Sequence, residues 1–329
     1  MFEIPVVLII FRRSDTIPRI IERLREIKPI KIYLLGDQGR NLKEIEEVEQ
    51  CRKLVESLID WDCEVVKNYA DTNRGVYKNI GEGACWVFKK EKKAIFLEDD
   101  NLPEVSFFKY TKELLDRYEE EPKVAWICGT NYLPEMASEY SYQFTKHLLP
   151  CGWASWSEKF LKLYDGHLEK FKYSEYRKNF RDSYSNKLLY FYQKQLIKNE
   201  EYRFKKNNKF LSWDYQMLWS VRSQGLFGIV PMCNQITNIG VDDFSIHGGN
   251  NKLNVMTSRF CEVKSKLMKF PLVHPPKIEV DKKCEEILGR IIMPPKKVVC
   301  KNIISSKLKH LIGKDSSISW ENIIKGKEK

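Results

Sequence analysis

Apolar and polar positions follow two alternating rhythms through residues 4–128, and each change of rhythm marks an element. Ile4–Ile10 is a continuous apolar run rich in β-branched residues, the pattern of a strand covered on both faces. Asp15 or Thr16 can cap a helix whose apolar positions include Ile17, Ile20, Ile21 and Leu24. Ile30–Leu35 predicts a second strand, broken by the turn Gly36-Asp37-Gln38-Gly39, and a charged helix runs on to about Ile59. Cys63–Val66 predicts a third strand, after which Val76, Ile80, Ala84, Val87 and Phe88 mark a helix by their spacing. Ala94–Leu97 is the fourth strand signal and ends in Glu98-Asp99-Asp100; a helix to about Tyr118 and a strand at Val124–Cys128 follow. Strands alternating with helices at this spacing predict βαβ units and a mostly parallel sheet flanked by helices. Ligands of such sheets bind beyond the carboxyl ends of the strands, so every post-strand segment is a candidate site.

The rhythm changes in the second half. Residues 157–210 are rich in Tyr, Phe, Lys and Arg and read as helical, Leu226–Val230 returns to strand character, and prolines at 271–276 and 294–295 punctuate the end. Beyond them Ile304, Leu308, Leu311 and Ile312 share one helical face among lysines. These signals predict a main domain over residues 1–275, divided into halves at 1–135 and 136–275, the second carrying a helical insertion at about 157–210. Residues 276–329 read as a basic helical extension.

Composition narrows the setting. No apolar run approaches the roughly 20 residues of a membrane span. Nine scattered cysteines without a C-x-x-C pair argue against a disulfide framework or a structural zinc, and with no N-x-S/T acceptor they fit a cytoplasmic protein. Of the formal net charge of +11, residues 296–329 carry +6, from nine lysines against Asp315, Glu321 and Glu328. That segment reads either as a solvated tail or as a helix lying on an anionic membrane surface, a peripheral contact on the inner face of the membrane.

Candidate chemistry concentrates after the strands. Three consecutive acids at a strand end repel one another unless a cation sits among them, and Mg²⁺ or Mn²⁺ often takes only one or two carboxylates, completing its shell with water and phosphate. The plainer alternative makes Glu98, Asp99 and Asp100 caps of the following helix. Asn73-Arg74-Gly75 also lies between a strand and a helix, suited to an anion or simply to a cap. Trp153 and Trp156 flank Ala154-Ser155 beside Gly152, offering rings to stack on a sugar, or merely core. Asp214, after Trp213, is a candidate general base or a helix start with Ser212, and His247 lies in a polar, Gly-containing loop. Walker-A, H-E-x-x-H and G-x-S-x-G patterns are missing, which removes the main support for P-loop kinase, zinc-protease and lipase readings.

Taken in order, Pro5–Phe11, Gly36–Arg40, Asn73-x-Gly75, Ile95–Pro103, Gly152–Trp156, Trp213-Asp214 and Thr237–Gly249 resemble the GT-A class of glycosyltransferases, specifically bacterial family-2-like enzymes of surface-glycan synthesis. The resemblance implies a Rossmann-like GT-A fold, with 1–135 as the nucleotide-sugar half and 136–275 as the acceptor half. It implies a metal-dependent transfer from a nucleotide-diphosphate donor, a UDP-sugar in the commonest case, to a glycan or lipid-linked acceptor with inversion. By the same resemblance Asp100 and His247 would hold the Mn²⁺ or Mg²⁺, and Asp214 would be the base. Phe11, Arg12, Asp37, Asn73, Arg74, Gly75, Glu98, Asp99 and His247 would line the donor pocket, and Trp153, Trp156 and Trp213 would meet the acceptor. The turn Gly36-Asp37-Gln38-Gly39 departs from the family's usual D-D-x-S. Two rivals stand beside this reading. A sugar-phosphate nucleotidyltransferase would want a Gly-rich loop where Phe11-Arg12-Arg13-Ser14 stands, and a non-catalytic carbohydrate- or nucleic-acid-binding protein gives no reason for the acid triplet.

Overall fold

The computed structural model describes residues 1–241 and 260–326; His247 lies outside the described residues. The chain forms an eight-stranded sheet flanked by helices, in the order β3-β2-β1-β4-β8-β6-β9-β7. Its first four members, β1 (Val6–Ile10), β2 (Lys31–Gly36), β3 (Glu64–Tyr69) and β4 (Lys93–Glu98), are mutually parallel. On the other side β8 (Trp153–Trp156) runs antiparallel between β4 and β6 (Val124–Cys128), β9 (Phe227–Pro231) is parallel to β6, and β7 (Tyr142–Thr145) closes the edge antiparallel. This is the mostly parallel α/β sheet that the alternating pattern predicts.

All five residues of β1 are buried because both sheet faces are covered. Val7 and Ile9 face one apolar cluster with Leu35 and Phe96; Val6, Leu8 and Ile10 face the other with Ile17, Ile20, Ile21 and Leu24 of α1 (Ile17–Ile27). Each such side chain contributes about 1.5–3 kcal/mol on leaving water. Helix α2 (Leu42–Leu58) starts where Asn41 accepts the N–H of Glu44. The helix expected from Val76 begins instead as a π-helical stretch, Tyr77–Glu82, before α3 (Gly83–Phe88). Its Gly81 leaves room for Tyr164, whose hydroxyl would lie 2.5 Å from an added Cβ.

Past β4 comes a short strand the pattern did not reveal, β5 (Asn101–Pro103), followed by α4 (Val105–Arg117). β5 pairs antiparallel with β10 (Ile236–Asn238), which brings residues 236–241 beside the acid triplet. The 157–210 region is helical as expected: α5 (Ser157–Leu163), a 3₁₀ turn, α6 (Ser174–Asp182) and α7 (Lys187–Asn207), with α8 (Asp214–Ser223) next.

Residues 276–326 pack into the body. Cys284 and Leu288 of α9 (Lys282–Ile292) belong to the same core cluster as Trp153 and Trp219. Glu285 accepts from Thr145, the Lys146 N–H and buried Arg222. α10 (Lys296–Leu311) lies along α7, with Val299 and Ser306 buried against it, and α11 (Trp320–Ile324) ends the described chain. Among the described residues no helix is long and apolar enough to cross a membrane.

Candidate active site

Because β1 to β4, β6 and β9 point the same way, the segments after Ile10, Gly36, Tyr69, Glu98 and Cys128 emerge along one sheet edge. β8 runs oppositely, so the residues before it, Cys151-Gly152, reach that edge too. Glu98, Asp99 and Asp100 stand at its centre. The Phe11 N–H donates to Asp99 Oδ2 at 2.8 Å, and the Thr16 hydroxyl donates to the Asp99 carbonyl. Asn101 Nδ2 donates to Asp100 Oδ1, while the Asp100 carbonyl accepts from the Ile239 N–H at 2.8 Å. Gly240 lies so close that an added Cβ would sit 2.5 Å from Asp100 Oδ2, so any side chain there would have to displace that carboxylate.

The electrostatics are those of crowded, deeply set carboxylates. Burial, then Asp100, Asp99 and Asp214, push the Glu98 carboxyl well above its ordinary range. Asp99 is pushed up to about 7 by burial and Asp100, against the Phe11 N–H and Arg13. Asp100 is raised by burial, against Arg13, Asn238 and Asn101. Yet all three retain some exposure, so solvent and ligands reach them. Among the described residues no cage of three metal-ligating side chains stands preassembled. The donor set fits the other mode of binding, in which one or two carboxylates share Mg²⁺ or Mn²⁺ with water and phosphate.

Asp214 arrives from the other half of the chain, and its charge bears on Glu98, Tyr132, Tyr164 and Tyr215. It opens α8, but the capping hydrogen bond comes from Ser212, one residue before the N-cap position at Trp213: its hydroxyl accepts the Tyr215 N–H at 3.1 Å and donates to Asp214 Oδ1. The half-buried Asp214 carboxylate is thus held by the cap without serving as one.

Other expected residues take different positions. Asp37 holds a loop: Oδ1 accepts the N–H groups of Gln38 and Arg74, and Oδ2 accepts the Gly75 N–H and the Asn73 amide. Gly75 occupies φ +80°, a left-handed conformation that favours glycine. The Arg74 guanidinium turns inward to Asn79 and Asn68. The Arg12 guanidinium lies 5.7 Å from the Phe11 ring centroid and pairs with Glu47 at 3.0 Å and Glu44 at 3.3 Å on α2, and its neighbour Arg13 stands 4.0 Å from Asp99. The three tryptophans require a correction. Trp153 is 1% exposed and stacks on Phe96 at 3.9 Å and on Trp126 at 4.1 Å; Trp156 and Trp213 are each 3% exposed. Their rings complete the core and offer an acceptor no face.

Sequence reasoning missed Arg13, Asn238, Gly240 and Tyr132. Arg13 carried a signal, a second arginine after the first strand. Tyr132, buried with φ 59°, carried none, since no local pattern marks a non-glycine residue in the left-handed region.

No protein-family model and no curated protein matches the sequence. Among solved structures the chain is similar to UDP-glucose pyrophosphorylase complexed with UDP-glucose, at 11% identity over 73% of this chain and 94% of that one, TM-score 0.37. It is similar to HddC from Yersinia pseudotuberculosis complexed with GMP-PN at 11% identity, covering 48% and 78%, TM-score 0.30. It is also similar to S. aureus TarS 1-349 at 13% identity, covering 66% and 68%, TM-score 0.34. Likeness at this level assigns neither a reaction nor a residue to the chain.

Proposed function

We propose that this chain is a GT-A-type glycosyltransferase that moves a sugar from a nucleotide-diphosphate donor to a glycan or lipid-linked acceptor. The observation that carries the reading is that Asp214, more than a hundred residues away in sequence, comes near enough to Glu98 at the head of the acid triplet for its charge to raise that carboxyl. Asp100 would hold Mn²⁺ or Mg²⁺, with Asp99 and Glu98 toward the ribose and sugar. When bound, such a metal offsets charge developing on the departing diphosphate. Asp214 would take the proton from the acceptor hydroxyl, and direct displacement without an enzyme nucleophile inverts the anomeric centre. The Phe11 ring, within 5.9 Å of the Arg40 guanidinium, offers a stacking edge for the base. Asp37 acts by shaping the Asn73–Gly75 loop. The role the resemblance gives His247, at the diphosphate or metal, falls outside the described residues.

Against a nucleotidyltransferase stands the segment after β1, which has no glycine between Phe11 and Thr16 and whose Arg12 is drawn off by Glu44 and Glu47. The deciding experiment is a panel of UDP-, GDP- and CDP-sugars with Mn²⁺, run beside UTP plus sugar 1-phosphates. Release of a nucleoside diphosphate is expected, and Asp214→Asn should slow it by about 10²–10⁴ while leaving folding intact. Pyrophosphate release from UTP supports the rival, and no turnover on either arm supports a binding protein.

The C-terminal helix bears on the acceptor's location. Ile304, Leu308, Leu311 and Ile312 are 47–81% exposed, and Lys297, Lys301 and Lys307 are exposed beside them on the outer side of α10. An apolar stripe rimmed by lysines suits an anionic bilayer, where each basic residue is worth about 1 kcal/mol. Wild-type protein is expected to sediment with phosphatidylglycerol vesicles at low salt, and Leu308→Ser/Leu311→Ser to remain in solution. Equal behaviour of the two proteins would remove the membrane from the proposal.

A further inference from the structure

The C-terminal segment reaches the candidate base through a run of buried polar contacts. Asp315, past the end of α10, takes Arg203 of α7 in a bidentate pair, Nε to Oδ2 at 2.9 Å and Nη2 to Oδ1 at 3.0 Å. The Ser317 N–H and hydroxyl also donate to Asp315 Oδ1, at 2.8 and 2.7 Å. Arg203 donates through Nη1 to Glu200 Oε1 one turn earlier on the helix. The other oxygen of Glu200 accepts the backbone N–H groups of Leu211 and Ser212, at 2.9 and 3.2 Å. Ser212 is the residue whose hydroxyl caps α8 and holds Asp214. Glu200, Arg203 and Asp315 are 3%, 7% and 7% exposed, so little solvent is available to replace a broken link.

We infer that Arg203 and Asp315 are positioning residues for Asp214: the C-terminal segment fixes the loop before α8 and so aims the carboxylate at the donor site. The inference rests on the reading of Asp214 as the base. Its physical content is that two buried carboxylates bracket one guanidinium. Removing either end leaves a charge unpaired in the interior, which is far costlier than losing a surface pair. Glu200 would then be drawn toward solvent or a proton, since burial already raises its carboxyl against the pull of Arg203. Either change releases the Leu211 and Ser212 N–H groups. The same links tie the turn that follows α10 to the candidate base by contiguous contacts through Asp315.

The test uses the full chain and two readouts. Asp315→Asn keeps the shape of the bridge and removes its charge. Amide hydrogen exchange at Leu211 and Ser212 should quicken by about tenfold or more, because local opening governs exchange there. On the nucleotide-sugar that the panel identifies, kcat should fall about tenfold with the donor KM unchanged, the scale expected of a misplaced catalytic group. In an Asp214→Asn background the same change should cost less than about twofold, because a residue acting through Asp214 has nothing left to aim. Equal loss in both backgrounds, or unchanged exchange at Leu211 and Ser212, overturns the inference. If Asp315→Asn does not fold, Ser212→Ala cuts the last link without touching the buried ions and should give the same background-dependent loss. Near-normal turnover by Asp214→Asn alone defeats the proposed function instead, and the exchange measurement still decides whether the link exists.

Discussion

Replacing Asp100 with Asn is expected to make the apo protein more stable and the enzyme inactive. The perturbation removes one of three adjacent carboxylates while retaining an oxygen that can accept from Asn101 and Asn238. Asp99 shows the size of the strain: its pKa rises from 3.8 to about 7. At 1.36 kcal/mol per pH unit that rise amounts to about 4 kcal/mol of cost to hold Asp99 ionised at alkaline pH. Burial is the largest cause and Asp100 the second, so removing the Asp100 charge relieves part of that cost. The sign follows from proton uptake. A carboxyl whose folded pKa is raised binds protons that the unfolded chain has already released, so its burden on stability grows as pH climbs from about 4 to about 7 and is complete above that. At about pH 8 in EDTA the Asn variant should therefore melt a few degrees above wild type. Added Mn²⁺ with the cognate nucleoside diphosphate should raise the melting temperature of wild type and not that of the variant. An Asp100→Asn protein that melts lower than wild type in EDTA, or that still responds to Mn²⁺, would refute the reasoning.

His147 gives a pH dependence of opposite sign. Its Nδ1 accepts from Arg222 at 2.9 Å and its Nε2 donates to the Glu285 carbonyl at 3.0 Å, which fixes the neutral tautomer. Burial and Arg222 lower its pKa to about 4. The unfolded chain takes up the proton first, so wild type should lose about 3 kcal/mol between pH 6.5 and 4 that His147→Gln does not. Parallel urea-denaturation curves for the two proteins would dismiss this account. Trp153→Ala should cost about 3–5 kcal/mol in urea unfolding, the penalty of a large core cavity. A variant of wild-type stability would return Trp153 to the list of ligand-facing residues.

What the sequence made legible was whatever one element encodes alone. The run Ile4–Ile10 had to be a doubly covered strand, and the spacing of Ile17 to Leu24 had to be a helix face. The acid triplet was legible for the same reason: like charges at the end of a buried strand are a local contradiction that something must resolve. Trp153 was misread because a tryptophan's sequence neighbours do not say on which side of a sheet its ring falls. Strand β8 enters antiparallel between β4 and β6, and that insertion directs Trp153 onto Phe96 and Trp126 while Trp156 reaches the Leu115 carbonyl in the opposite layer.

Arg12 and Asp214 show how the remaining information is distributed. Two arginines in succession project to different sides of the chain, and what separates them is a pair of glutamates on α2, Glu44 and Glu47, that capture the first and leave the second to the acids. At Ser212-Trp213-Asp214 both a cap and a base were readable, and the structure gives the first-turn N–H to Ser212. Ser212 does the capping, which leaves Asp214 held but unspent, and Glu200 holds Ser212 in turn. Assigning the cap to the serine two residues earlier keeps one carboxylate oxygen, Oδ2, out of that arrangement. Ser212 thus answers the helix end, and the second carboxylate oxygen of Asp214 lies outside that pair, where the role proposed for it would need it.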